Sequence, residues 1–431
     1  MTLWTGDRFF VKRFRFCVFF AVLASGVAVA RAAQPRELVM SNAALRVRLE
    51  LPSGRLTVTD QRVGIVWRQY VPARSARGSA WGKVKVQKIP AARLVQLTRA
   101  TQHDNTFRAQ ANWNGHPFDI TYELSADAPQ LTVTIDTSDR NRRLPWKPGW
   151  AGVTMMIYPY AFVNDEAGSE LAVPIDEGVL WSIYDTDPKS DYRRWNSWWL
   201  HQRLSMPWWG ATDGRRGVMT EVETPFDCLF SVNWVETPSG ERTLPHITWL
   251  DSKRTWAYPR RVTFRFFADG GYVAMAKAFR RAEQARGTFR SWTEKVRANP
   301  AVARLRGALD VWHQQELTQQ LIEALKEAGV RNAIVAKPRG GNAAATEGIT
   351  PGAIRAAVQA GYLIGGYHNF TWIQGRWVKA DPSLKEAAVV PASGKLKWIK
   401  NAWDPLGRLD RCPAAHRDVF VRRAREAREP A

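Results

Sequence analysis

The sequence predicts a multidomain protein in which a large antiparallel β-sandwich is followed by an incomplete parallel (β/α) barrel. In residues 37–267, apolar residues recur at every second position, as expected for strands with one buried face. In residues 304–373, short apolar strands alternate with helical segments, the order typical of a parallel barrel. A complete eightfold barrel takes about 250 residues, whereas 431 − 303 = 128 remain here. We therefore expect roughly half a barrel.

The chain begins with a predicted signal peptide at residues 1–32. Basic residues precede a short apolar run from Phe16 to Ala30, and residues 28–32 form the small-residue pattern AVARA. This arrangement is typical of a cleaved secretory signal. We expect cleavage after Ala30 or Ala32, an exported protein that is periplasmic or secreted, and no stable membrane span afterwards. An uncleaved membrane anchor is the alternative.

Residues 33–270 form the predicted β-sandwich. Apolar residues alternate with polar ones in residues 45–51, residues 52–54 are the turn sequence PSG, and a second alternating run follows at 56–59. Residues 120–124 and 131–135 repeat this arrangement around another turn. Each pair predicts an antiparallel hairpin with one buried face. More than ten such strands without a long helix between them indicate a sandwich.

Residues 271–303 form a predicted helical connector, and residues 304–431 form the first part of the barrel. Apolar residues fall at helical spacing from Tyr272 onward, and the helix runs to about Arg286 before Gly287 ends it. The remaining residues of the connector are polar. They are expected to lead the chain into the first barrel strand.

The barrel segment contains three predicted strands and two predicted helices. The strands lie at residues 304–309, 332–336 and 362–366. An apolar stripe from Leu317 to Ala328 predicts the first helix, which Gly329 ends. Thr350 and Pro351 supply a cap and a first-turn proline for the second helix. At most one more helix is expected after the third strand.

In (β/α) barrels the functional groups follow the carboxyl ends of the strands. Asp310 is predicted at the end of the first strand, with Trp312 beside it, and Trp372 is predicted at a later strand end. The indole faces of Trp312 and Trp372 are suited to stacking on sugar rings. The alternative for Asp310 is a helix cap or a salt bridge. Asp381, Asp404 and Asp410 are weaker candidates, placed in a long loop after the third strand.

Tryptophan occurs 21 times in the chain. Isolated residues such as Trp67, Trp113, Trp249 and Trp256 are expected to pack in the sandwich core. A cluster within fifteen positions has two open interpretations, carbohydrate binding and core packing. The cluster consists of Trp195, Trp198, Trp199, Trp208 and Trp209.

The charge distribution and the motifs that the sequence lacks argue against nucleic-acid binding and against metal or cofactor chemistry. The formal net charge of +22 favours anionic material, but the charges are scattered and no nucleic-acid motif is present. We predict no nucleic-acid partner. The alternative is an electrostatic binder of nucleic acid or acidic glycans, whose affinity would collapse with added salt. No zinc-type spacing, dinucleotide fingerprint or nucleophile elbow occurs, so neither a metal nor another cofactor is predicted. Cys228 and Cys412 are expected to be free buried thiols, with a disulfide between them as the alternative.

Four motifs resemble bacterial glycoside hydrolases related to endo-α-N-acetylgalactosaminidases. Together with the order of the domains, the resemblance covers residues 38 to 369. The motifs are LSMPWWG at residues 204–210, EVETPFD at 221–227, YVAMAKAFR at 272–280 and the strand at 361–370.

The resemblance implies a galactose-mutarotase-like sandwich before a (β/α)8 barrel, and a carbohydrate as substrate or ligand. Asp310 would bind sugar hydroxyls, Trp312 and Tyr367 would form walls, and His368 and Asn369 would be polar contacts. His368 departs from the family pattern Tyr-Asp-Asn-Tyr in this motif.

The family's two catalytic carboxylates lie on strands later than the third, beyond this chain. Its catalytic residues are therefore unknown. We expect a truncated glycoside hydrolase-like protein that acts on glycans, with weak or no activity when isolated. The alternative is a non-catalytic carbohydrate-binding or cell-envelope protein. The oligomeric state is not predicted.

Overall fold

The computed structural model folds into two compact units, Met1–Arg286 and Gly287–Ala431. The residues that it describes are 36–77, 85–113, 115–144, 155–164, 169–175, 178–188, 198–200, 204–252, 254–312, 317–337, 350–366, 372–380, 382–388, 398–401 and 404–410. The predicted signal peptide and Cys412 lie outside them. In the described part of the chain, no helix is both long enough and apolar enough to cross a membrane.

The described part of the first unit consists of twenty strands, a short 3₁₀ helix at Ala91–Arg93 and one α-helix at the end. The elements in chain order are β1 (Glu37–Ser41), β2 (Leu45–Glu50), β3 (Leu56–Asp60), β4 (Ile65–Gln69), β5 (Pro72–Arg77), β6 (Lys85–Lys88), β7 (Gln96–His103), β8 (Thr106–Trp113), β9 (His116–Leu124), β10 (Gln130–Asp136), β11 (Met155–Ile157), β12 (Phe162–Val163), β13 (Glu170–Val173), β14 (Val179–Ser182), β15 (Trp198–Trp199), β16 (Trp208–Thr212), β17 (Gly217–Val222), β18 (Cys228–Thr237), β19 (Gly240–Leu250), β20 (Arg260–Phe267) and α1 (Gly271–Ala285).

These strands form three antiparallel sheets. A five-stranded sheet has the order β1-β2-β3-β4-β12, and a nine-stranded sheet has the order β14-β13-β16-β17-β20-β10-β9-β8-β7. A six-stranded sheet has the order β11-β19-β18-β5-β6, with β15 paired to β18. The predicted antiparallel sandwich is confirmed.

Both predicted hairpins form in the expected register. Leu49 pairs with Leu56 across β2 and β3, and Leu124 pairs with Leu131 across β9 and β10. In β2, burial alternates residue by residue, because side chains on a strand point to opposite faces. The alternation thus places one face of each hairpin in the core.

All three sheets contribute to one hydrophobic core. The isolated tryptophans predicted to pack there do so, since Trp67, Trp113, Trp249 and Trp256 are each at most 2% exposed. Burying a large apolar side chain contributes about 1.5–3 kcal/mol to stability. Cys228 is a free thiol in the same core, as predicted.

Helix α1 belongs to the first unit and packs on the outer face of the nine-stranded sheet. Met275 and Phe279 on the helix form a buried cluster with Trp208 of β16 and Met219 of β17. The helix begins and ends within one residue of the limits that the helical spacing predicts, and Gly287 follows with a φ of 72°. Helix α1, the first part of the predicted connector at residues 271–303, thus packs on the sandwich.

The second unit contains a parallel sheet, a small antiparallel sheet and short helices. Its elements are α2 (Trp292–Ala298), a 3₁₀ helix (Pro300–Leu305), β21 (Leu309–Trp312), α3 (Gln319–Glu327), β22 (Ala333–Lys337), α4 (Pro351–Gln359), β23 (Leu363–Gly366), β24 (Trp372–Gln374), α5 (Gly375–Ala380), a second 3₁₀ helix (Pro382–Ala387), β25 (Ile399–Asn401) and β26 (Asp404–Asp410).

Strands β21, β22 and β23 pair in parallel in that order, which confirms the predicted start of a (β/α) barrel. Helix α4 begins and ends as predicted, whereas α3 begins at Gln319, two residues after the predicted start at Leu317. The Thr350 side chain accepts a hydrogen bond from the Ala353 amide at 3.1 Å, and Pro351 opens α4. Gly329 and Gly361, with φ of 82° and 75°, follow the two helices.

The first parallel strand begins later than the sequence suggests. Residues 304–309 were expected to be extended, but Pro300–Leu305 is a 3₁₀ helix. Asn299 caps this helix by accepting a hydrogen bond from the Ala301 amide at 3.1 Å. Gly307 then turns the chain with a φ of 70°. The cap and the turn delay the strand to Leu309.

A three-stranded antiparallel sheet follows the parallel one, with the order β24-β26-β25. The sequence predicted a long loop here, and that prediction was wrong. Asp404 and Asp410 are the first and last residues of β26, whereas Asp381 lies outside the described residues. The strands were missed because β24 and β25 have only three residues each, and β24 pairs with residues far along the chain in β26.

Candidate functional site

The carboxyl ends of the three parallel strands lie in register. Trp312, the last residue of β21, pairs with Ala336, and Lys337, the last residue of β22, pairs with Gly366 at the end of β23. We call this line of strand ends the carboxyl edge. In (β/α) barrels, groups that follow such an edge line the functional pocket. The edge is therefore the candidate site of the second unit.

Asp310 lies within β21 and not at its end as predicted. The shift follows from the late start of the strand, which makes Asp310 its second residue. It pairs with Ile334 of β22, which in turn pairs with Leu363 of β23. Asp310 thus stands two cross-strand rows below Trp312 at the carboxyl edge.

The two faces of the parallel sheet differ in character. Val311, Val335 and Ile364 belong to the apolar cluster that packs against α3 and α4. Because neighbouring residues of a strand point to opposite faces, Asp310 faces away from the helices, and it is exposed. In a (β/α) barrel this face is the interior. Carboxylate oxygens on this face can accept hydrogen bonds from hydroxyl groups.

The other predicted site residues are placed only in part. Trp312 ends β21, with Trp372 at the start of β24, and the side chains of both lie outside the described residues. Tyr367, His368 and Asn369 follow β23 directly and also lie outside them. Trp372 was predicted at a barrel strand end, but it pairs with Asp410 in the antiparallel sheet. Their roles remain predictions.

The chemistry available at the carboxyl edge is limited by its acids. Asp310 is the one acidic residue in the described strands β21, β22 and β23. Glycoside hydrolysis generally uses two carboxyl groups, roughly 5 Å apart for retention or up to about 9.5 Å for inversion. These strands therefore supply one carboxylate, that of Asp310. Among the described residues, no group of three His, Cys, Asp or Glu could hold a metal ion.

The tryptophan cluster of the sandwich is partly a packing feature. Trp208 and Trp209 are 4% and 3% exposed. Trp208 lies under α1, and Trp209 meets Phe230 edge to face with ring centroids 5.5 Å apart. For these two residues core packing is the correct interpretation. Trp195 and the side chains of Trp198 and Trp199 lie outside the described residues.

A buried ion network beside α1 was not predicted from the sequence. The Glu221 carboxylate, 0% exposed in β17, accepts hydrogen bonds from Arg265 Nε at 3.2 Å and Nη2 at 3.0 Å. Its other oxygen pairs with Arg286 at the end of α1. Burial lowers the pKa of both arginines, whose charges compensate the buried carboxylate. The signal in the sequence was an acid in a mostly apolar strand, all of whose residues are buried.

The network borders a groove of about 680 Å³ in the first unit. Strands β10 and β20 contribute the floor, α1 contributes one wall, and every lining residue belongs to the first unit. We call it the α1 groove. Its lining includes Arg62, Gln130, Arg265, Ala278, Arg281 and Ala282.

Comparison with known proteins identifies relatives by fold alone. No family model matches the sequence, and no curated protein matches it. The ligand-free structure of α-N-acetylgalactosaminidase NagBb from Bifidobacterium bifidum matches with a TM-score of 0.62 and 14% identity. The alignment covers 90% of this chain and 69% of that one.

Two complexes of the same enzyme match equally well. The complexes with Gal-NHAc-DNJ and with GalNAc give TM-scores of 0.66 and 0.65, each at 15% identity. Each alignment covers 90% of this chain and 67% of the other. The expected resemblance is thus confirmed at the level of architecture, and the chain shares the fold of a glycoside hydrolase, the α-N-acetylgalactosaminidase NagBb.

Proposed function

We propose that the protein recognises a glycan at the carboxyl edge of β21, β22 and β23. The observation that carries this proposal is the parallel order of these strands after a sandwich, in a chain with the fold of a glycoside hydrolase. NagBb has been solved with GalNAc, so an N-acetylgalactosamine unit is the first candidate for the sugar.

Asp310 is the central residue of the proposed pocket. Its carboxylate stands exposed on the face opposite α3 and α4, where it can accept hydrogen bonds from sugar hydroxyls. Trp312, Tyr367 and Trp372 are proposed as aromatic walls, because indole and phenol rings stack on the C–H faces of a pyranose. His368 and Asn369 are proposed as the remaining polar contacts.

Titration calorimetry with N-acetylgalactosamine tests the proposal. We expect Asp310→Asn to weaken binding by about tenfold or more, because a hydrogen bond to a charged group contributes roughly 1.5–3 kcal/mol. Glu327→Gln is the matched control, since Glu327 is an exposed acid at the carboxyl end of α3. Equal affinity of Asp310→Asn and the wild type would contradict the assignment.

Hydrolysis by this chain is expected to be weak or absent. The reason is the single carboxylate of the described parallel strands, which cannot act as both acid and nucleophile. An assay with 4-nitrophenyl α-N-acetylgalactosaminide measures this directly. Binding without release of nitrophenol is the expected outcome. Binding that residues 34 to 290 retain on their own would instead favour the alternative, a non-catalytic carbohydrate-binding or envelope protein. Robust turnover that disappears in Asp310→Asn would show that the chain is itself a hydrolase.

We also propose that the protein is exported. The basic residues, the apolar run and the AVARA pattern at residues 28–32 support this. The mature protein isolated from the producing cells is expected to start at Arg31 or Ala33, as measured by intact-mass spectrometry. A mature protein that still starts at Met1 would favour the uncleaved anchor.

A further inference from the structure

The α1 groove has the size and composition of a ligand site. Its volume of about 680 Å³ falls in the range of roughly 300–1,000 Å³ that is typical of small-molecule pockets. The wall contributed by α1 presents Ala278, Ala282 and Ala285, three residues too short to fill it. Phe267 and Pro129 add further apolar surface. The groove is therefore open and partly apolar.

Guanidinium groups outnumber carboxylates in its lining. Four arginines line the groove, Arg62, Arg265, Arg281 and Arg286, against two acids, Glu223 and Asp269.

Both acids already have cationic partners. Glu223 pairs with Arg261 at 2.9 Å and accepts a hydrogen bond from Thr263 at 2.6 Å. Asp269 pairs with Arg215 at 3.0 Å. The carboxylates that line the groove are thus compensated by arginines outside its lining.

Three of the four arginines are fixed in place. Arg62 binds the buried Asp60 at 2.6 Å and donates to the Phe266 carbonyl at 2.9 Å. Arg265 and Arg286 share the buried Glu221. Arg281 differs, because no ion pair joins it to an acid among the described residues. It is exposed on the wall of the groove with its charge available.

We propose that the α1 groove binds an acidic oligosaccharide whose carboxylate meets Arg281. A guanidinium pairs with a carboxylate through two parallel hydrogen bonds, which fixes both position and orientation. The alanine, proline and phenylalanine surfaces beside it suit the C–H faces of sugar rings. The site lies on the sandwich, so it goes beyond the function proposed for the carboxyl edge.

Fluorescence anisotropy with a labelled hyaluronan tetrasaccharide tests this proposal on the full chain. Chitotetraose is the neutral comparison, and a single-stranded oligodeoxynucleotide of equal charge is the non-glycan comparison. Arg281→Ala removes the available charge, and Ala282→Trp fills the groove. Arg280→Ala is the matched control, because Arg280 is the neighbouring exposed arginine of the same helix and does not line the groove.

We expect the wild type to bind the hyaluronan probe at least tenfold more tightly than chitotetraose. Both Arg281→Ala and Ala282→Trp should weaken this binding by roughly tenfold, and Arg280→Ala by less than twofold. Circular dichroism verifies that each variant is folded. Asp310→Asn should leave hyaluronan binding unchanged, which separates this site from the carboxyl edge.

Three outcomes would overturn the proposal. Equal losses in Arg280→Ala and Arg281→Ala would show a diffuse attraction to the net charge of the chain. Equally tight binding of the oligodeoxynucleotide, with the same loss in Arg281→Ala, would assign the groove to nucleic acid. Hyaluronan binding no tighter than that of chitotetraose would show that the groove does not select an acidic oligosaccharide.

Discussion

Arg260 shows how the sandwich accommodates a charge in its interior. The side chain is 0% exposed, and its guanidinium carbon lies 3.6 Å from the ring centroid of Tyr258 and 4.7 Å from that of Trp256. It donates to the Leu250 carbonyl at 3.2 Å and to Ser252 Oγ at 2.9 Å. Burial lowers its pKa to about 10, so it remains charged at neutral pH. Aromatic faces and a few acceptors replace its hydration.

Arg260→Ala is expected to lower the free energy of unfolding by about 3–5 kcal/mol. The substitution leaves a cavity between aromatic rings and removes the cation that Asp227 faces at 3.5 Å. Guanidinium chloride denaturation measures the change. Arg215→Ala is the control, because its ion pair with Asp269 is over 70% exposed on both sides and should contribute at most about 1 kcal/mol. Equal effects of the two substitutions would contradict this account.

His246 should make the stability depend on pH. It is fully buried in β19, and burial lowers its pKa to about 4 from an ordinary value near 6.5. Between pH 6.5 and 4, the unfolded imidazole binds a proton that the native one does not. Falling pH therefore destabilises the fold, by about 3 kcal/mol for this group over the whole window.

The measurement is the free energy of unfolding from pH 7 to pH 4 for the wild type and His246→Gln. The wild type should lose more stability across this window than the variant does. Parallel curves for the two proteins would show that His246 does not contribute.

At the scale of elements, α1 is held on the sandwich by a side chain that enters a depression in the sheet. Met275 sits over Gly210 of β16 and Gly217 of β17, and a Cβ atom at either glycine would overlap its side chain. The missing side chains allow the helix to approach the sheet closely. The same approach places the alanines of α1 beside the groove.

Gly210→Ala is expected to destabilise the protein by about 1–3 kcal/mol, the usual cost of overpacking. Met275→Ala in the same chain should recover part of that loss, because it removes the atoms with which the new methyl group collides. Thermal unfolding of the two single variants and the double variant gives the coupling. Strict additivity would indicate that the two residues do not meet.

The elements also show which local patterns were sufficient for prediction. Hairpin β2–β3 and helix α4 formed as predicted, because alternation and an N-cap act within a few residues of sequence. The start of β21 and the pairing of β24 with β26 were not predicted correctly. The first depends on a 3₁₀ turn after Asn299, and the second joins residues far apart in the chain.

At the scale of the whole molecule, we expect each of the two units to unfold as its own cooperative unit. The first unit ends at Arg286 and has its own core, and the second has a smaller cluster around α3, α4 and the parallel sheet. Residues 284–286 at the end of the first unit and 287–290 at the start of the second are all exposed. A segment of this kind is a preferred site of proteolysis.

Limited trypsin digestion is expected to cut first near Arg286 or Arg290. The sandwich should persist as a resistant fragment that ends there, because its strands are protected by long-range pairing. Mass spectrometry of the fragments over time identifies the site. Early loss of the sandwich with a persistent second unit would contradict the larger stability that we assign to the first.

The sequence by itself determined the class of both units, since periods of two and of 3.6 residues report which faces are buried. It also identified Asp310 as a candidate, because this acidic residue directly follows the apolar residues of a predicted parallel strand. Only the tertiary structure decided that Trp208 and Trp209 are core residues and that Glu221 joins two arginines beside a groove. The ion pairs of Glu221 join residues 44 and 65 positions apart, and Trp208 packs against Phe279 of α1. The order of the strands brings these residues together, and no local pattern does.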